Sequence, residues 1–517
     1  MPRNVLRAAT ATAIAAALLT TGACSDGDSS GGKRTRTGGA KDAKPLSWGG
    51  CDAPTAAEGG GQAPGQDWQC ATLDVPLDYA EPEGEMIPLA LIRAKARNKA
   101  KRLGSLVFNF GGPGGSGIAT LPGAAKEYEA LRARYDLVSF DPRGVGRSAP
   151  VRCENDRQLD AYYAQDSSPE TPEEEKAFLD GIRAYQQACR ANSGKVLPYV
   201  GTENAARDLD RIRQALGDEK LNYFGISYGT ELGGVYAHLF PKNVGRAVFD
   251  AVVDPTKDAE QGALGQAKGF QLALGNFAQD CVNRGDRCRL QGSTAKEIED
   301  NVIKLQKDLA AKPIAGIGGR QLTESQATNG IAQALYSKEL WPLLEQGLDE
   351  ADGGQGQLLM ALSDALNGRD QNGRYSNIGA ANTAINCADS KERYTLEDTK
   401  AGLPEFRSAS PVFGDFLGWA MMSCTDWPVA GAWKTPDVSA PGAAPILVIG
   451  NTGDPATPYE GARKMAERLG KGVGVELTYK GEGHGAYNSG DRCVQGAVNA
   501  YLLDGKVPGA GTVCTAA

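Results

Sequence analysis

Leu221-Asn222-Tyr223-Phe224-Gly225-Ile226-Ser227-Tyr228-Gly229-Thr230 reads as a strand, a tight turn and the start of a helix. Leu-Asn-Tyr-Phe is short and aromatic, and from Thr230 to Phe240 apolar residues recur at helical spacing. Ser227 falls at the turn. In Gly-x-Ser-x-Gly the serine takes a strained backbone conformation, and glycines on either side leave out the Cβ atoms that would meet a neighbouring strand or helix. Such an elbow lifts a hydroxyl clear of a sheet edge. The bland alternative is a glycine-capped turn, because the chain holds 67 glycines and spells the same pattern at Gly27-Asp28-Ser29-Ser30-Gly31. That second match has no strand before it and no helix after it.

Working upstream from the elbow, Ser105 to Phe110 is a buried strand that runs into Gly111-Gly112-Pro113-Gly114-Gly115-Ser116-Gly117. A glycine cluster after a strand can cradle phosphate, but no Gly-Lys-Ser/Thr follows and the spacing does not fit a dinucleotide fingerprint. The favoured use is an oxyanion hole made from backbone N–H groups. Ala71 to Leu77 and Met86 to Ala94 alternate as opening antiparallel strands. Tyr135 to Phe140 is a further strand, ending in Asp141-Pro142-Arg143-Gly144-Val145-Gly146-Arg147-Ser148. A polar segment with Cys153 and Cys189 leads to a helix that Thr202 can cap, with Leu209, Ile212 and Leu216 on one face and Gly217 as its stop.

Downstream, Arg246 to Val253 is an apolar strand closed by Asp254-Pro255. Strands alternating with helices imply a mostly parallel sheet with helices on both faces. Over 255–440 the strand pattern gives way to helices such as Ala295 to Ala311, Glu324 to Tyr336 and Leu340 to Leu348, which we read as an inserted helical lid. Residues 45–254 and 441–517 then form the two parts of one sheet-centred core. In the second part, Pro445 to Gly450 restores the sheet, and Val473 to Tyr479 is the last strand expected.

The N-terminus looks exported. Arg3 and Arg7 precede an uncharged run from Ala8 to Leu19, the layout of a signal peptide over 1–23 that is too short for a permanent membrane span. Thr21-Gly22-Ala23-Cys24 resembles a bacterial lipobox with Cys24 as the lipidation site, although Thr21 stands where such motifs usually have leucine. Plain secretion, with Cys24 unmodified, is the other outcome. Residues 24–44 are nearly devoid of apolar side chains and read as a flexible tether. Eleven cysteines fit an oxidising compartment. With Cys24 set aside, the remaining ten are expected to pair as sequential neighbours. No Cys-x-x-Cys occurs and the chain has two histidines, so no metal site is expected. A formal charge of −8 argues against nucleic acid as a partner.

Only His238 and His484 can act as a base for Ser227. His238 lies eleven residues along the elbow helix, about 16 Å away at 1.5 Å per residue, and cannot reach the hydroxyl. His484 sits in Gly483-His484-Gly485 at a strand end, where a base can swing over the sheet edge. The acid should come from another strand end, and the order Ser, Asp, His points to Asp454 in Asn451-Thr452-Gly453-Asp454-Pro455-Ala456-Thr457-Pro458. Asp250 and Asp254 compete for that role. Thr457 can bond the Asp454 carboxylate or be an ordinary turn hydroxyl.

Together, Phe110-Gly111-Gly112-Pro113-Gly114, Asp141-x-Arg143-Gly144-x-Gly146-x-Ser148, Gly225-Ile226-Ser227-Tyr228-Gly229-Thr230, the Asp454 loop and Gly483-His484-Gly485 resemble the exported tripeptidyl aminopeptidases of actinobacteria, α/β-hydrolases related to proline iminopeptidases. Asn386-Cys387-Ala388-Asp389 and Cys424-x-Asp426-Trp427-Pro428 resemble the C-terminal region of that group. The resemblance implies a triad of Ser227, Asp454 and His484, with the N–H groups of Gly112 and Tyr228 as the oxyanion hole. It also implies no cofactor, and a monomer acting on peptides with free N-termini. Phe110 departs from the histidine that proline iminopeptidases often have there. Glu231, close to the nucleophile, either senses a substrate amine or faces solvent.

Three functions survive: a secreted exopeptidase releasing short peptides, tripeptides by resemblance; a secreted carboxylesterase or lipase; and a silent binding protein. The intact Ser, Asp, His order weighs against the third. The same fold and triad serve esters and amides; the resemblance favours the first, and the lid, richer in Asp and Glu than in Lys and Arg, either supplies carboxylates for a substrate ammonium or is a solvated helical surface.

Overall fold

The apolar and alternating runs gather into one nine-stranded sheet in the computed structural model, which describes residues 46–55, 58–509 and 511–516. In chain order the strands are β1 (Trp68–Pro76), β2 (Met86–Ala94), β3 (Gly104–Asn109), β4 (Tyr135–Phe140), β5 (Leu221–Ile226) and β6 (Val244–Asp250). A separate two-residue hairpin, β7 (Ile314–Ala315) with β8 (Gln321–Leu322), follows, and β9 (Ile446–Gly453), β10 (Gly474–Glu482) and β11 (Thr512–Thr515) complete the sheet. Its order is β1-β2-β4-β3-β5-β6-β9-β10-β11. Only β2 runs against its neighbours. The elbow therefore follows a strand at the centre of the sheet.

Period-two alternation decides which face each side chain covers. Val107, Val138, Tyr223, Phe249 and Val448 point to one side, where they pack with Leu209, Leu232 and Met465 from helices Thr202–Leu216, Tyr228–Leu239 and Glu460–Leu469. Leu106, Leu137, Phe224, Val248 and Leu447 point to the other, against Leu121, Val494 and Val498 of helices Gly117–Ala124 and Arg492–Asp504. Because both faces are covered, β3 and β4 are buried along their whole length rather than at alternate positions, with Leu106-Val107-Phe108 and Leu137-Val138 at their centres.

Between β6 and β9 stand the helices Ala259–Arg284, Ala295–Ala311, Glu324–Leu335, Trp341–Asp352 and others, sharing a core of their own around Phe270, Phe277, Leu305, Ile331 and Leu344. Two observations blur the edges of this insert. The helix Ile378–Asp389 packs Ala381, Ala384 and Ile385 into the main core rather than the helical one. Conversely, the helix Pro172–Ser193, in the segment read only as polar, lays Ile182 against Leu403, Trp419 and Met422 of the insert. Its capping box at Thr171 and Glu174 with Pro172 behind it is a start signal that the surrounding polarity obscured.

Further differences from expectation have local causes. Thr202 does not cap its helix; Gly201 holds that position, and the Thr202 hydroxyl donates to Asp389 at 2.6 Å. The sheet does not end at β10, because β11 pairs with it in parallel register, Cys514 opposite Tyr479. The ten cysteines join as sequential pairs: Cys51–Cys70, Cys153–Cys189, Cys281–Cys288, Cys387–Cys424 and Cys493–Cys514. Among the described residues no helix is long and apolar enough to cross a membrane. The signal peptide, Cys24 and the tether fall outside the described residues.

Candidate active site

Ser227 takes φ 58° and ψ −126°, a conformation rare for a residue with a side chain, between the end of β5 and the helix Tyr228–Leu239. Close approach on two sides makes the glycines obligatory. A Cβ on Gly229 would lie 2.6 Å from the carbonyl oxygen of Asn109, and one on Gly225 would lie 2.4 Å from that of Gly229. The backbone N–H of Ser227 donates to the Asp250 carbonyl at 3.0 Å, tying the elbow to the end of β6.

The glycine-rich loop after β3 passes against this turn. At Gly111, with φ 85°, an added Cβ would stand 2.6 Å from the Ile226 carbonyl oxygen and 2.9 Å from the Ser227 Cβ. The same contact brings that position within 3.2 Å of the Tyr228 nitrogen, so the two segments expected to form the oxyanion hole converge. Among the described residues the N–H groups of Gly112 and Tyr228 have no protein acceptor, as expected for donors kept for a ligand or at the first turn of a helix.

Asp454, buried in the loop after β9, accepts from His484 Nδ1 at 2.8 Å. Its carboxylate also takes the backbone N–H groups of Ala456, Thr457 and Gly485, at 3.0, 2.9 and 3.1 Å. These bonds fix the acid and the ring together. His484 donates its own backbone N–H to Tyr336 of the helical insert at 2.7 Å, and the Tyr336 ring stands edge-on to the imidazole at 5.0 Å. Burial alone would pull the His484 pKa down, but the charge of Asp454 and its hydrogen bond more than offset this and hold it above the usual 6.5.

The competing acids do other work. Asp250 turns its carboxylate to the N–H groups of Ala251, Ala486 and Tyr487, so it braces the loop that carries His484 without touching the ring. Burial pushes its carboxyl up to about 6. Asp254 accepts from Thr256 within its own turn. His238 points its Nδ1 to the Ser439 carbonyl oxygen at 2.8 Å, in keeping with a structural role. Thr457 Oγ1 is 3.5 Å from His484 Nδ1, too long for a strong bond.

On the flank of this arrangement opens a cleft of 340 Å³ that reaches from Ala456, Thr457 and Pro458 of the Asp454 loop to Glu231 and Asp389. Ser227 and His484 are not among its lining residues. Five carboxylates line it, Glu231, Asp254, Asp258, Asp389 and Glu392, against the two lysines Lys257 and Lys434. Glu231, read as facing either an amine or solvent, faces this cleft. Asp389 was legible only as part of a motif, and no local signal links it to residues almost 190 positions earlier.

Residues 104–301 match the family described as alpha/beta hydrolase fold, and residues 410–514 match the family described as TAP-like protein. Over 454 residues the chain is 33% identical to a tripeptidyl aminopeptidase of Streptomyces lividans, covering 86% of this chain and 83% of that one. The chain belongs to the tripeptidyl aminopeptidase-like α/β-hydrolases. Members of this family similar to it also include the serine protease Hip1 of Mycobacterium tuberculosis, 38% identical over 502 residues and 93% of each chain. Another is a Mycobacterium tuberculosis protein named Carboxylesterase B, 36% identical over 451 residues and 85% of each chain. A TAP-like hydrolase of this kind is a serine hydrolase, and the elbow at Ser227 is where its nucleophile is expected.

Proposed function

We propose that the protein is an exported serine exopeptidase that releases short peptides, tripeptides in the first instance, from free N-termini. The observation that carries this reading is the cleft beside the elbow, whose excess of carboxylates suits a substrate that arrives with a positive charge. The likeness to a tripeptidyl aminopeptidase and to a serine protease supports the same substrate class.

In this reading His484 takes the Ser227 proton as the hydroxyl attacks the scissile carbonyl. Asp454 holds the ring through Nδ1 and stabilises the imidazolium that forms. The N–H groups of Gly112 and Tyr228 meet the developing oxyanion, and protonated His484 then returns its proton to the leaving amine. The acyl group stays on Ser227 until water, activated by the same histidine, releases it. Export begins with the signal peptide and ends in a secreted or lipid-anchored monomer.

A second reading, carboxylesterase, is favoured by the relative that bears that name. One panel separates the two: kcat/KM on a free tripeptide anilide, its N-acetyl form, the matching single-residue anilide and a short-chain fatty ester. The free tripeptide should lead, and acetylation should cost at least about tenfold, the equivalent of about 1.4 kcal/mol. Equal rates on the free and acetylated forms would remove the exopeptidase claim, and a dominant ester rate would establish the esterase.

A further inference from the structure

Glu231 is the fourth residue after Ser227, one turn into the helix Tyr228–Leu239. Its side chain lines the cleft, and among the described residues no hydrogen-bond donor and no cation meets its carboxylate. Loss of solvation, followed by the charge of Asp389, pushes that carboxyl up to about 8. An acid so placed takes up a proton in the empty protein near neutral pH, because a desolvated carboxylate without a partner is costlier than the neutral acid, and a cation entering the cleft would draw it back to the ionised form.

Its neighbour is held differently. Asp389, 6% exposed, accepts the backbone N–H of Thr202 at 2.8 Å and the Thr202 hydroxyl at 2.6 Å, at the positive end of the helix Thr202–Leu216. The Thr202 oxygen in turn accepts from the Tyr228 hydroxyl at 2.6 Å. Asp389 is thereby fixed to the residue whose N–H belongs to the expected oxyanion hole. A Cβ on Gly201 would stand 2.9 Å from its carboxylate, so a side chain there would crowd it out of place.

The cations of the cleft are already committed elsewhere. Lys257 stands 3.8 Å from Asp254 and Lys434 stands 3.3 Å from Asp258. Glu231 and Asp389, whose carboxyl burial pushes up to about 7, are left as a pair of acids beside the elbow with no cation of the protein's own among the described residues, and a cation entering the cleft favours the ionised form of both. Four residues of helix rise about 6 Å, and an extended peptide spans about 3.3–3.6 Å per residue. A peptide acylating Ser227 therefore has its N-terminus, a few residues back, within reach of this pair.

We propose that Glu231, supported by Asp389, is the anchor for the α-ammonium group of the substrate. Resting on the exopeptidase reading above, it names the residue that makes a free N-terminus a requirement. Glu231 supplies the missing counter-ion only when an amine enters, and the ammonium satisfies a carboxylate that nothing in the empty cleft satisfies. The Asp389–Thr202–Tyr228 chain keeps this anchor in fixed register with the oxyanion donors.

The test is the ratio of kcat/KM for a free tripeptide anilide to that for its N-acetyl form, measured in wild type, Glu231→Gln and Asp389→Asn. In wild type the ratio should be at least about tenfold, and in Glu231→Gln it should collapse towards one, with the loss carried by KM rather than kcat. Glu231→Gln has no protein hydrogen bond to lose, so its Tm should match or exceed that of wild type. Asp389→Asn keeps an acceptor for Thr202 and should lower the ratio independently. A wild-type preference for the free amine that survives in both variants overturns the anchor and leaves the exopeptidase standing. Absence of that preference in wild type overturns the exopeptidase, and the anchor with it.

Discussion

At the scale of single residues, two aspartates at neighbouring strand ends have opposite duties. Asp454 touches the imidazole, whereas Asp250 holds the backbone that carries it. Asp454→Asn should cut kcat/KM on the order of 10⁴, as should Ser227→Ala, with the fold intact. Asp250→Asn should instead lower stability by about 1–3 kcal/mol, because an amide NH₂ must face one of the N–H groups of Ala486 or Tyr487, and its effect on chemistry should be the milder one. Steady-state kinetics beside thermal unfolding separate the two; a catalytically normal Asp454→Asn would shift the acid to Asp250. The pH profile follows from the same contact. A protonated His484 cannot accept the Ser227 proton, so kcat/KM should fall as pH drops through its pKa, which Asp454 holds above 6.5. In Asp454→Asn that acid limb should move to lower pH.

At the scale of elements, the loop after β3 and the turn after β5 are built around each other. Gly111→Ala would place a methyl 2.6 Å from the Ile226 carbonyl oxygen at a φ that side chains rarely adopt. The loop must then move, and the Gly112 N–H with it. Losing one oxyanion donor costs about 10²–10³ in kcat, and that is the loss expected here, with KM changed less. A Gly111→Ala enzyme with wild-type kcat would show that the loop has no part in oxyanion binding. Disulfides tie other elements together: Cys153–Cys189 closes a separation of 36 residues, worth about 4 kcal/mol by the chain-entropy account. Cys153→Ser with Cys189→Ser should therefore lower the unfolding midpoint clearly while leaving the His484–Asp454 contact in place.

At the scale of the whole molecule, one sheet carries Ser227, Asp454 and His484 on three strand ends. Tyr336 of the helical insert holds the His484 backbone, so the insert shares in placing the proposed base. Mass spectrometry of the mature protein should find a lipid-modified Cys24 at the N-terminus and no free thiol among the other ten cysteines. An unmodified N-terminus just after Ala23 would leave a secreted enzyme without a tether.

The sequence by itself determined the strand and helix alternation, the elbow, the glycine loop and the order Ser, Asp, His, because each is a local pattern with a local physical cause. Gly225 and Gly229 are needed within a few residues of Ser227, and Gly483-His484-Gly485 lies at the end of its own strand. Tertiary structure decided what depends on residues far apart meeting. It set Asp454 rather than Asp250 against the ring, since both sit at strand ends and only the positions of β6, β9 and β10 in the sheet distinguish them. It also packed Ile378–Asp389 into the main core and joined Pro172–Ser193 to the insert, contacts that no periodicity encodes. Above all it brought Asp389 beside Thr202 and faced Glu231 into a cleft. A carboxylate in a sequence carries no mark of whether water or protein will surround it; burial is a property of the assembled chain.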